Sequence, residues 1–235
     1  ANMSSGLVEF GDEEKIEQLN GKTVAIIGLG GVGSTVAEQL ARNNINLRIV
    51  DKERVYDEEV PRQTLYTKED VTKFKAKQAK KRLEEITTGV KIKTFHEELH
   101  EENTFLLDSD AIIDASNNMK TSLMVNAYAL ENNIPLISVN YAGTKGHLLV
   151  IDKKQHKKGP CLKCLEEDFD LGTLKKKGVY SPTTTILAGL AANAAIKNLL
   201  DIANEETLLK VDAYKTEIRH NHVEKKRGCE HCKGK

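Results

Sequence analysis

Short apolar runs alternate with longer stretches of helix-forming residues over the first 140 positions of the chain. The runs are bounded by glycine, asparagine or charged residues, which is typical of strands buried in a parallel sheet. The predicted strands are 24–27, 47–50, 90–95, 111–114 and 135–139. The predicted helices are a stretch that ends near Arg42, 73–86 and 121–132. This alternation predicts a Rossmann-like α/β fold with a doubly wound, mainly parallel sheet.

The pattern changes after Asn140. Residues 146–152 form an apolar run that directly follows a turn-like segment, so we expect a strand that pairs antiparallel with its predecessor. Pro182 suits the first turn of a helix and opens an alanine-rich apolar stretch, predicted to be helical over 183–200. The last two predicted strands are 207–211 and 214–222, and a short polar helix is predicted at 12–19.

We therefore expect one domain over residues 1–235. It would consist of a helical lead-in (1–20), a nucleotide-binding half (21–140) and a less regular second half with an antiparallel extension (141–235).

Composition narrows the classes of partner. The 235 residues include 35 acidic and 35 basic side chains, so no overall field favours nucleic acid or a membrane surface. No apolar run reaches membrane-spanning length and no signal peptide is visible, so we expect a cytoplasmic protein. Basic clusters at 153–158, 175–177 and 225–227 are interpreted as solvated loops, with an anionic partner as the alternative.

The first predicted strand runs directly into Gly28-Leu-Gly-Gly-Val-Gly-Ser34, which leads into a helix. Glycines allow a sharp turn and a close approach to phosphate, and a helix N-terminus supplies N–H donors and partial positive charge. Asp51 follows the next strand, where an acid can hydrogen-bond a ribose hydroxyl. The nucleotide-binding candidates are Gly28, Gly30, Gly31, Gly33, Ser34 and Asp51. NAD-dependent dehydrogenases carry the same motif, so it does not identify the nucleotide.

The four cysteines form two Cys-x-x-Cys pairs, Cys161 with Cys164 and Cys229 with Cys232. Two such pairs with no further cysteine predict one tetrahedral Zn²⁺ site with four thiolate ligands. Because no coordination position would stay open, the metal would be structural. Two separate redox pairs or disulfides are the alternative, and His156 and His231 are interpreted as bystanders.

Together these features resemble the MoeB/ThiF/HesA family, relatives of the ubiquitin-activating enzymes. The resemblance rests on the glycine loop, Asp51, the Arg62-Gln63 pair, the segment 71–76 and the paired cysteines, and it covers the chain from Lys22 to the tail. The spacings from Asp51 to Arg62 and from there to Lys75 fit the family without a gap.

The resemblance implies an adenylyltransferase that uses ATP and Mg²⁺ to activate the C-terminal carboxylate of a ubiquitin-like sulfur-carrier protein ending in Gly-Gly. It implies catalytic roles for Arg62 and Lys75, whose cations would hold the triphosphate. It adds Glu53, Gln63, Asn117 and Asn118 to the nucleotide-binding residues. It also implies a homodimer, and a carrier tail that runs under 140–145 or 171–181. Gly143 and Gly146 would leave room for that tail, or are ordinary turn glycines.

The sequence departs from the family in four places. Asn117 stands where the family has a magnesium-binding Asp, and Asp114 is a nearby carboxylate that could compensate. Glu59 replaces an Asn and would face the phosphates. No arginine occurs over 7–19, where many relatives have one that acts across the dimer. No cysteine occurs over 165–182, so we predict adenylation without a covalent thioester or persulfide on this chain.

Two other functions stay open. A nucleotide-binding pseudoenzyme would hold the carrier as a scaffold without activating it. An NAD-dependent oxidoreductase would use the glycine loop and Asp51, but it would not need Arg62, Lys75 or the cysteines.

Overall fold

The computed structural model describes residues 17–152, 159–172, 178–202, 204 and 208–232. Within these ranges the chain forms one eight-stranded sheet in the order β3-β2-β1-β4-β5-β6-β7-β8. The strands are β1 Thr23–Ile27, β2 Asn46–Val50, β3 Ile92–Phe95, β4 Ala111–Asp114, β5 Leu136–Ala142, β6 Lys145–Ile151, β7 Leu208–Asp212 and β8 Glu217–Asn221. The helices are α1 Gly31–Arg42, α2 Lys75–Ile86, α3 Met119–Asn132, α4 Glu166–Phe169 and α5 Ser181–Leu199.

The first five strands are parallel, as the alternating pattern predicts. In the central register Ile26 of β1 lies between Ile49 of β2 and Ile113 of β4. All three side chains are fully buried, because helices cover both faces of a parallel sheet. The predicted mainly parallel, doubly wound arrangement is therefore confirmed.

The antiparallel extension is also confirmed. Strands β5 and β6 form a hairpin that ends at the pair Ala142 and Lys145, and β7 and β8 continue the sheet in antiparallel order. Strand β5 runs past the predicted end at residue 139, because pairing with β6 carries it to the turn. Strand β8 is shorter than predicted, since residues 213–216 form the turn before it. The predicted helix at 12–19 lies mostly outside the described residues.

Two apolar cores lie on the two faces of the sheet. Helices α1, α2 and α5 cover one face, and α1 packs directly on α5. Helix α3 and the segment around Cys161 and Cys164 cover the other face. Among the helices that the structure describes, none is both long and apolar enough to cross a bilayer.

The two glycines near the β5–β6 turn have different roles. Gly143 lies in the turn with φ of 56°, a left-handed conformation that favours glycine. Gly146 lies within β6, and a Cβ there would collide with the side chain of Leu187 in α5. The space beside Gly146 is thus filled by a core helix and does not provide room for a peptide tail.

Candidate functional site

A cleft of about 590 Å³ opens at the carboxyl ends of the parallel strands. Strand β1 lies between β2 and β4, so the connections that follow β1 and β4 leave the sheet on opposite faces there. Such a switch point is where open α/β sheets bind ligands. The lining includes residues from the loops after β1, β2, β3 and β4, and Tyr141 near the end of β5. Those relevant below are Gly28, Gly30, Asp51, Glu53, Glu59, Arg62, Gln63, Lys75, Asn117, Asn118, Tyr141 and Val179.

The glycine loop bends sharply at the end of β1. Gly28 has φ of 87°, and a Cβ on it would lie 2.7 Å from the carbonyl oxygen of Ala115. A Cβ on Gly33 would collide with the carbonyl of Gly28. Helix α1 begins at Gly31 without a side-chain cap, so its first N–H groups lack a side-chain partner there.

Three of the predicted loop residues shape the loop without lining the cleft. Gly31 packs against Thr184 of α5, and the buried Ser34 donates its hydroxyl to the carbonyl of Gly30 at 2.7 Å. Gly33 lies where the helix and the strand end pack closely. The structure therefore places Gly28 and Gly30 in the cleft, and Gly31, Gly33 and Ser34 behind it.

Asp51 fastens the glycine loop to the end of β2. Its two carboxylate oxygens accept the backbone N–H groups of Leu29 and Glu53, both at 2.6 Å. Burial raises the pKa of Asp51, and these two hydrogen bonds act against that rise. Glu53, with a side chain about 50% exposed, extends further into the open cleft than Asp51.

Lys75 is the most deeply buried cation of the cleft. Its side chain is 1% exposed, and its Nζ lies 2.8 Å from Glu53 Oε2 and 2.9 Å from Glu59 Oε2. Burial would lower the pKa of Lys75, but the hydrogen bonds that its ammonium group donates to the carboxylates of Glu53 and Glu59 raise the pKa above its ordinary value. The ammonium group therefore stays charged at neutral pH.

Glu59 joins the two predicted catalytic cations. Besides its bond to Lys75, its Oε1 lies 3.7 Å from Nη2 of Arg62. The sequence predicted that this carboxylate would face phosphate unfavourably. In the structure it lies between Arg62 and Lys75 and forms an ion pair with each.

Asn117 is held by backbone at the end of β4. Its Oδ1 accepts the N–H of Tyr141 at 3.0 Å and its Nδ2 donates to the carbonyl of Tyr141 at 3.1 Å. The residue has φ of 52°, a conformation that asparagine tolerates. An amide fits this pair of contacts, whereas a carboxylate could only accept. The next residue, Asn118, caps α3 by accepting the N–H of Thr121 at 3.1 Å.

Asp114 does not compensate for the missing carboxylate at position 117. It is fully buried and accepts hydrogen bonds from the hydroxyls of Ser116 at 2.6 Å and Ser138 at 2.7 Å. Asp114 also lies outside the cleft lining.

Gln63 has an unused amide in the cleft. It is 2% exposed, yet within the described ranges neither its Nε2 nor its Oε1 has a hydrogen-bond partner. A buried amide without partners is costly, so this one fits a ligand with polar atoms. Beside it lies Tyr141, whose pKa burial raises to about 12, so its hydroxyl stays protonated.

Sequence reasoning did not single out Tyr141 or the cleft-lining segment after β3, residues 97–100. Both follow from the rule that ligands bind beyond the carboxyl ends of parallel strands. Lys120 was also missed, whereas Tyr141 and Val179 lie within the segments 140–145 and 171–181 that were expected beside the carrier tail. Val179 reaches the cleft because the crossover pairs with the β5–β6 turn, where Gly143 donates to the carbonyl of Gly178 at 2.9 Å. The three lysines at 175–177 lie outside the described residues.

The side chains of the four cysteines lie close together on the face of the sheet that helix α3 covers. Their sulfur atoms lie within 4.8 Å of one another. The sulfur–sulfur distance is 3.8 Å for Cys161 and Cys229, 4.0 Å for Cys161 and Cys164, and 3.4 Å for Cys164 and Cys232. A tetrahedral zinc site with Zn–S of about 2.3 Å has sulfur–sulfur edges of about 3.8 Å. A disulfide would need about 2 Å, and all four cysteines are free. The donor set thus fits zinc.

The thiols of the cysteine cluster differ in pKa: that of Cys229 is lowered, whereas those of Cys161 and Cys232 are raised, chiefly by burial. Burial raises the pKa of Cys229, but backbone N–H groups of Cys232 and His231 donate to its sulfur and bring the pKa down to about 7. Burial raises the pKa of Cys161 to about 11. A divalent cation bound by all four sulfurs would stabilise every thiolate. His156 lies outside the described residues.

Comparisons with known proteins agree with these features. The family model described as the ThiF family matches residues 3–232. The sulfur carrier protein ThiS adenylyltransferase of Bacillus subtilis (strain 168) is 32% identical over 208 residues, which are 86% of this chain and 61% of that protein. The enzyme of the same name from Escherichia coli (strain K12) is 28% identical over 224 residues, 93% of this chain and 88% of that protein. This chain thus spans about three fifths of the B. subtilis relative.

Similarity to solved structures extends over nearly the whole fold. The crystal structure of E. coli MccB with ATP superposes with a TM-score of 0.84 at 19% identity, covering 99% of this chain and 74% of that one. At 19% sequence identity, this structural similarity establishes the fold of the chain and not its activity. Since the family model spans almost the whole chain, the resemblance expected from the sequence is confirmed: the chain belongs to the ThiF family.

Proposed function

We propose that this chain is an ATP-dependent adenylyltransferase that activates the C-terminal carboxylate of a ubiquitin-like sulfur-carrier protein. The observation that carries the proposal is the position of Arg62 and Lys75. Both lie in one cleft with the glycine loop, and they share the carboxylate of Glu59. The names of the relatives agree with this activity.

ATP would bind with its phosphates at the glycine loop and the start of α1, where Arg62 and Lys75 face them. Glu53 is better placed than Asp51 to accept a ribose hydroxyl, because Asp51 is buried and already accepts two backbone N–H groups. The unused amide of Gln63 would bond to the nucleotide or to the incoming carboxylate.

In the reaction a carboxylate oxygen of the carrier attacks the α-phosphorus of ATP. The bond from the α-phosphorus to the bridging oxygen of the β-phosphate breaks, and pyrophosphate leaves. The carboxylate and the triphosphate repel each other, so catalysis needs fixed cations and in-line positioning. Lys75 stays charged in its buried position and Arg62 lies beside it, and both would stabilise the charge that develops on the phosphates.

Magnesium would bind mainly through the phosphates of ATP. Glu53 and Glu59 are bonded to Lys75, and the amide oxygen of Asn117 already accepts an N–H group. Mg²⁺ commonly keeps several waters and binds through substrate phosphates, which suits such a site. In that state it would neutralise charge on the triphosphate.

The product is expected to stay as an acyl-adenylate. All four cysteines belong to one cluster, and no cysteine occurs over 165–182. A hydroxyl or an ammonium group does not replace a thiolate nucleophile at neutral pH. Non-reducing mass spectrometry after incubation with ATP and carrier should find no thioester or persulfide on this chain, and such an adduct would contradict the proposal.

ATP–pyrophosphate exchange tests the activity. The protein is incubated with ATP, labelled pyrophosphate and candidate carriers ending in Gly-Gly. We expect label in ATP with at least one carrier, and none with a carrier truncated by the two glycines. If the protein binds a carrier tightly but shows no exchange, the result would favour a scaffold. The hydrogen bonds of the Asn117 amide to the backbone of Tyr141 support that alternative. Tighter binding of NAD than of ATP would favour an oxidoreductase.

The remaining sequence predictions accompany this proposal. We propose a single domain over residues 1–235, a homodimer, a cytoplasmic location and a structural Zn²⁺ held by Cys161, Cys164, Cys229 and Cys232. The geometry of the sulfur atoms supports the metal. Elemental analysis should find one zinc per chain, and light scattering should give the mass of two chains.

A further inference from the structure

The two cysteine-bearing segments are far apart in sequence. Sixty-eight residues separate Cys161 from Cys229 and Cys164 from Cys232. Besides the sulfur atoms, two ion pairs join the segments: Lys163 with Glu230 at 3.4 Å, with side chains 29% and 66% exposed, and Lys226 with Glu167 at 3.7 Å, with side chains 56% and 89% exposed. Exposed ion pairs of this kind contribute little to stability. Something else has to hold the segments in register.

That role falls to one buried side chain on α3. Asn126 is 0% exposed, and its Oδ1 accepts the backbone N–H of Leu162, inside the first Cys-x-x-Cys pair, at 3.0 Å. Its Nδ2 lies 3.0 Å from Nδ1 of His231, inside the second pair. One amide therefore contacts both cysteine-bearing segments.

The contact to Leu162 fixes the orientation of this amide, since a backbone N–H needs an oxygen acceptor. The Nδ2 group must then donate to His231, so Nδ1 of His231 carries a lone pair and no proton. With Nδ1 occupied in this way, that nitrogen cannot bind a metal at the same time.

We propose that Asn126 is a positioning residue of the cysteine cluster: its amide holds both cysteine-bearing segments on α3 and keeps Nδ1 of His231 out of the metal's ligand set. The inference rests on the proposed zinc site and goes beyond the proposed adenylyltransferase activity. Residues that orient a metal site from outside its ligands typically change metal affinity by about tenfold to a hundredfold when replaced.

The first test measures zinc release to a chromogenic chelator from zinc-loaded protein. Asn126→Asp keeps the size and the acceptor for Leu162 but loses the donor to His231, and Asn126→Ala loses both. We expect release to be about tenfold faster in Asn126→Asp and faster still in Asn126→Ala. Asn132→Ala is the matched control, since Asn132 lies on the same helix and its amide donates to the carbonyl of Tyr128, one turn back on that helix, at 2.9 Å. Its release rate should equal that of the wild type.

The second test reads the tautomer of His231 by long-range proton–nitrogen NMR. We expect the Nε2–H tautomer in the wild type and a shift away from it in Asn126→Asp. A purely structural role for Asn126 would not set this tautomer. A double-mutant cycle with His231→Ala should also be non-additive for zinc release, because both variants remove the same contact.

The outcomes distinguish the proposed role of Asn126 from the proposed zinc site. A wild type that holds zinc, with Asn126 variants that release it at the wild-type rate, would overturn this inference and leave the zinc site standing. An Nδ1–H tautomer in the wild type would also overturn it. A wild-type protein that binds no zinc would overturn both.

Discussion

The cleft at the carboxyl ends of the parallel strands and the cysteine cluster are both groups of polar side chains, but they are built in different ways. The cleft lies at the ends of parallel strands, and backbone N–H groups or neighbouring charges hold its central side chains, such as Asp51 and Lys75. The cluster joins two loop segments that meet through sulfur atoms and through Asn126. The cleft is thus a product of the sheet, whereas the cluster would depend on the proposed zinc ion for much of its cohesion.

Helix α3 connects the two regions. Its N-cap residue Asn118 lines the cleft, and Asn126, two turns further along, lies against the cysteine cluster. We expect loss of zinc to lower the stability of the fold more than loss of a cleft residue does. Loss of a cleft residue should instead lower the rate of the proposed reaction. The predictions below test that division, from the largest expected effect to the smallest.

Zinc removal should have the largest effect on stability. Chelation frees the second-half segments, so we expect Tm to fall by about 10 °C, the shift for a loss of about 3–5 kcal/mol in a domain of this size. Differential scanning calorimetry with and without chelator measures it, and calcium-saturated chelator is the control. An unchanged Tm in a zinc-containing sample would show that the cluster does not stabilise the fold.

Lys75→Ala should have the largest effect on chemistry. It removes the buried cation that would face the triphosphate, and losing one such electrostatic contact typically costs about 10²–10³ in rate. ATP–pyrophosphate exchange measures the effect. Lys73→Ala is the matched control, because Lys73 is about 50% exposed and lies 3.9 Å from Asp70. Equal exchange in the two variants would contradict the assigned role.

Asn117→Asp should have a moderate effect on stability. A carboxylate cannot donate to the carbonyl of Tyr141, so we expect the free energy of unfolding to fall by about 1–2 kcal/mol. Asn118→Asp is the control, since aspartate is an equally good helix N-cap. Urea unfolding compares the two, and a wild-type midpoint for Asn117→Asp would show that the amide pair is dispensable.

Glu59→Gln should have the smallest effect. Because Glu59 occupies the position between Arg62 and Lys75, removing its charge should lower the KM for ATP about threefold, a change of about 0.7 kcal/mol. The exposed neighbour Glu58, changed to Gln, is the control. A raised KM would instead indicate that Glu59 helps to hold Lys75 in place for ATP.

Much of the fold followed from the apolar pattern alone. The five parallel strands, the hairpin after residue 142 and helix α5 occur close to where the periodicity and Pro182 predict them. The observed end of β5 differs from the predicted one. Hydrogen bonding to β6 extends β5 beyond its apolar run, and the apolar pattern alone does not show this. Gly146 showed the same limit, since only the packing of Leu187 explains why a glycine is needed there.

The sequence predicted which residues belong to the candidate site better than it predicted the contacts of those residues. The position of Asp51 after a strand, the family resemblance that pointed to Arg62 and Lys75, and the two Cys-x-x-Cys pairs named residues that the structure places in the cleft and in the cluster. Which carboxylate is free and which is bonded could not be read from the chain. Asp51 and Asp114 both accept hydrogen bonds, and Glu59 forms an ion pair with Lys75. In each case the partner is distant in sequence, so the contact could not be predicted.

By itself the sequence determined the kind of protein: periodicity specified the sheet, glycines specified the sharp turn after the first strand, and cysteine spacing specified the cluster. These are local properties, set by backbone freedom and by side-chain chemistry within a few residues. Tertiary structure alone decided that Lys75 is buried between two glutamates, that Asn117 bonds the backbone of Tyr141, and that Asn126 links the two cysteine segments. Such contacts arise only when the sheet brings distant segments together, because hydrogen bonds and charges act over a few ångströms of space, whatever their separation along the chain.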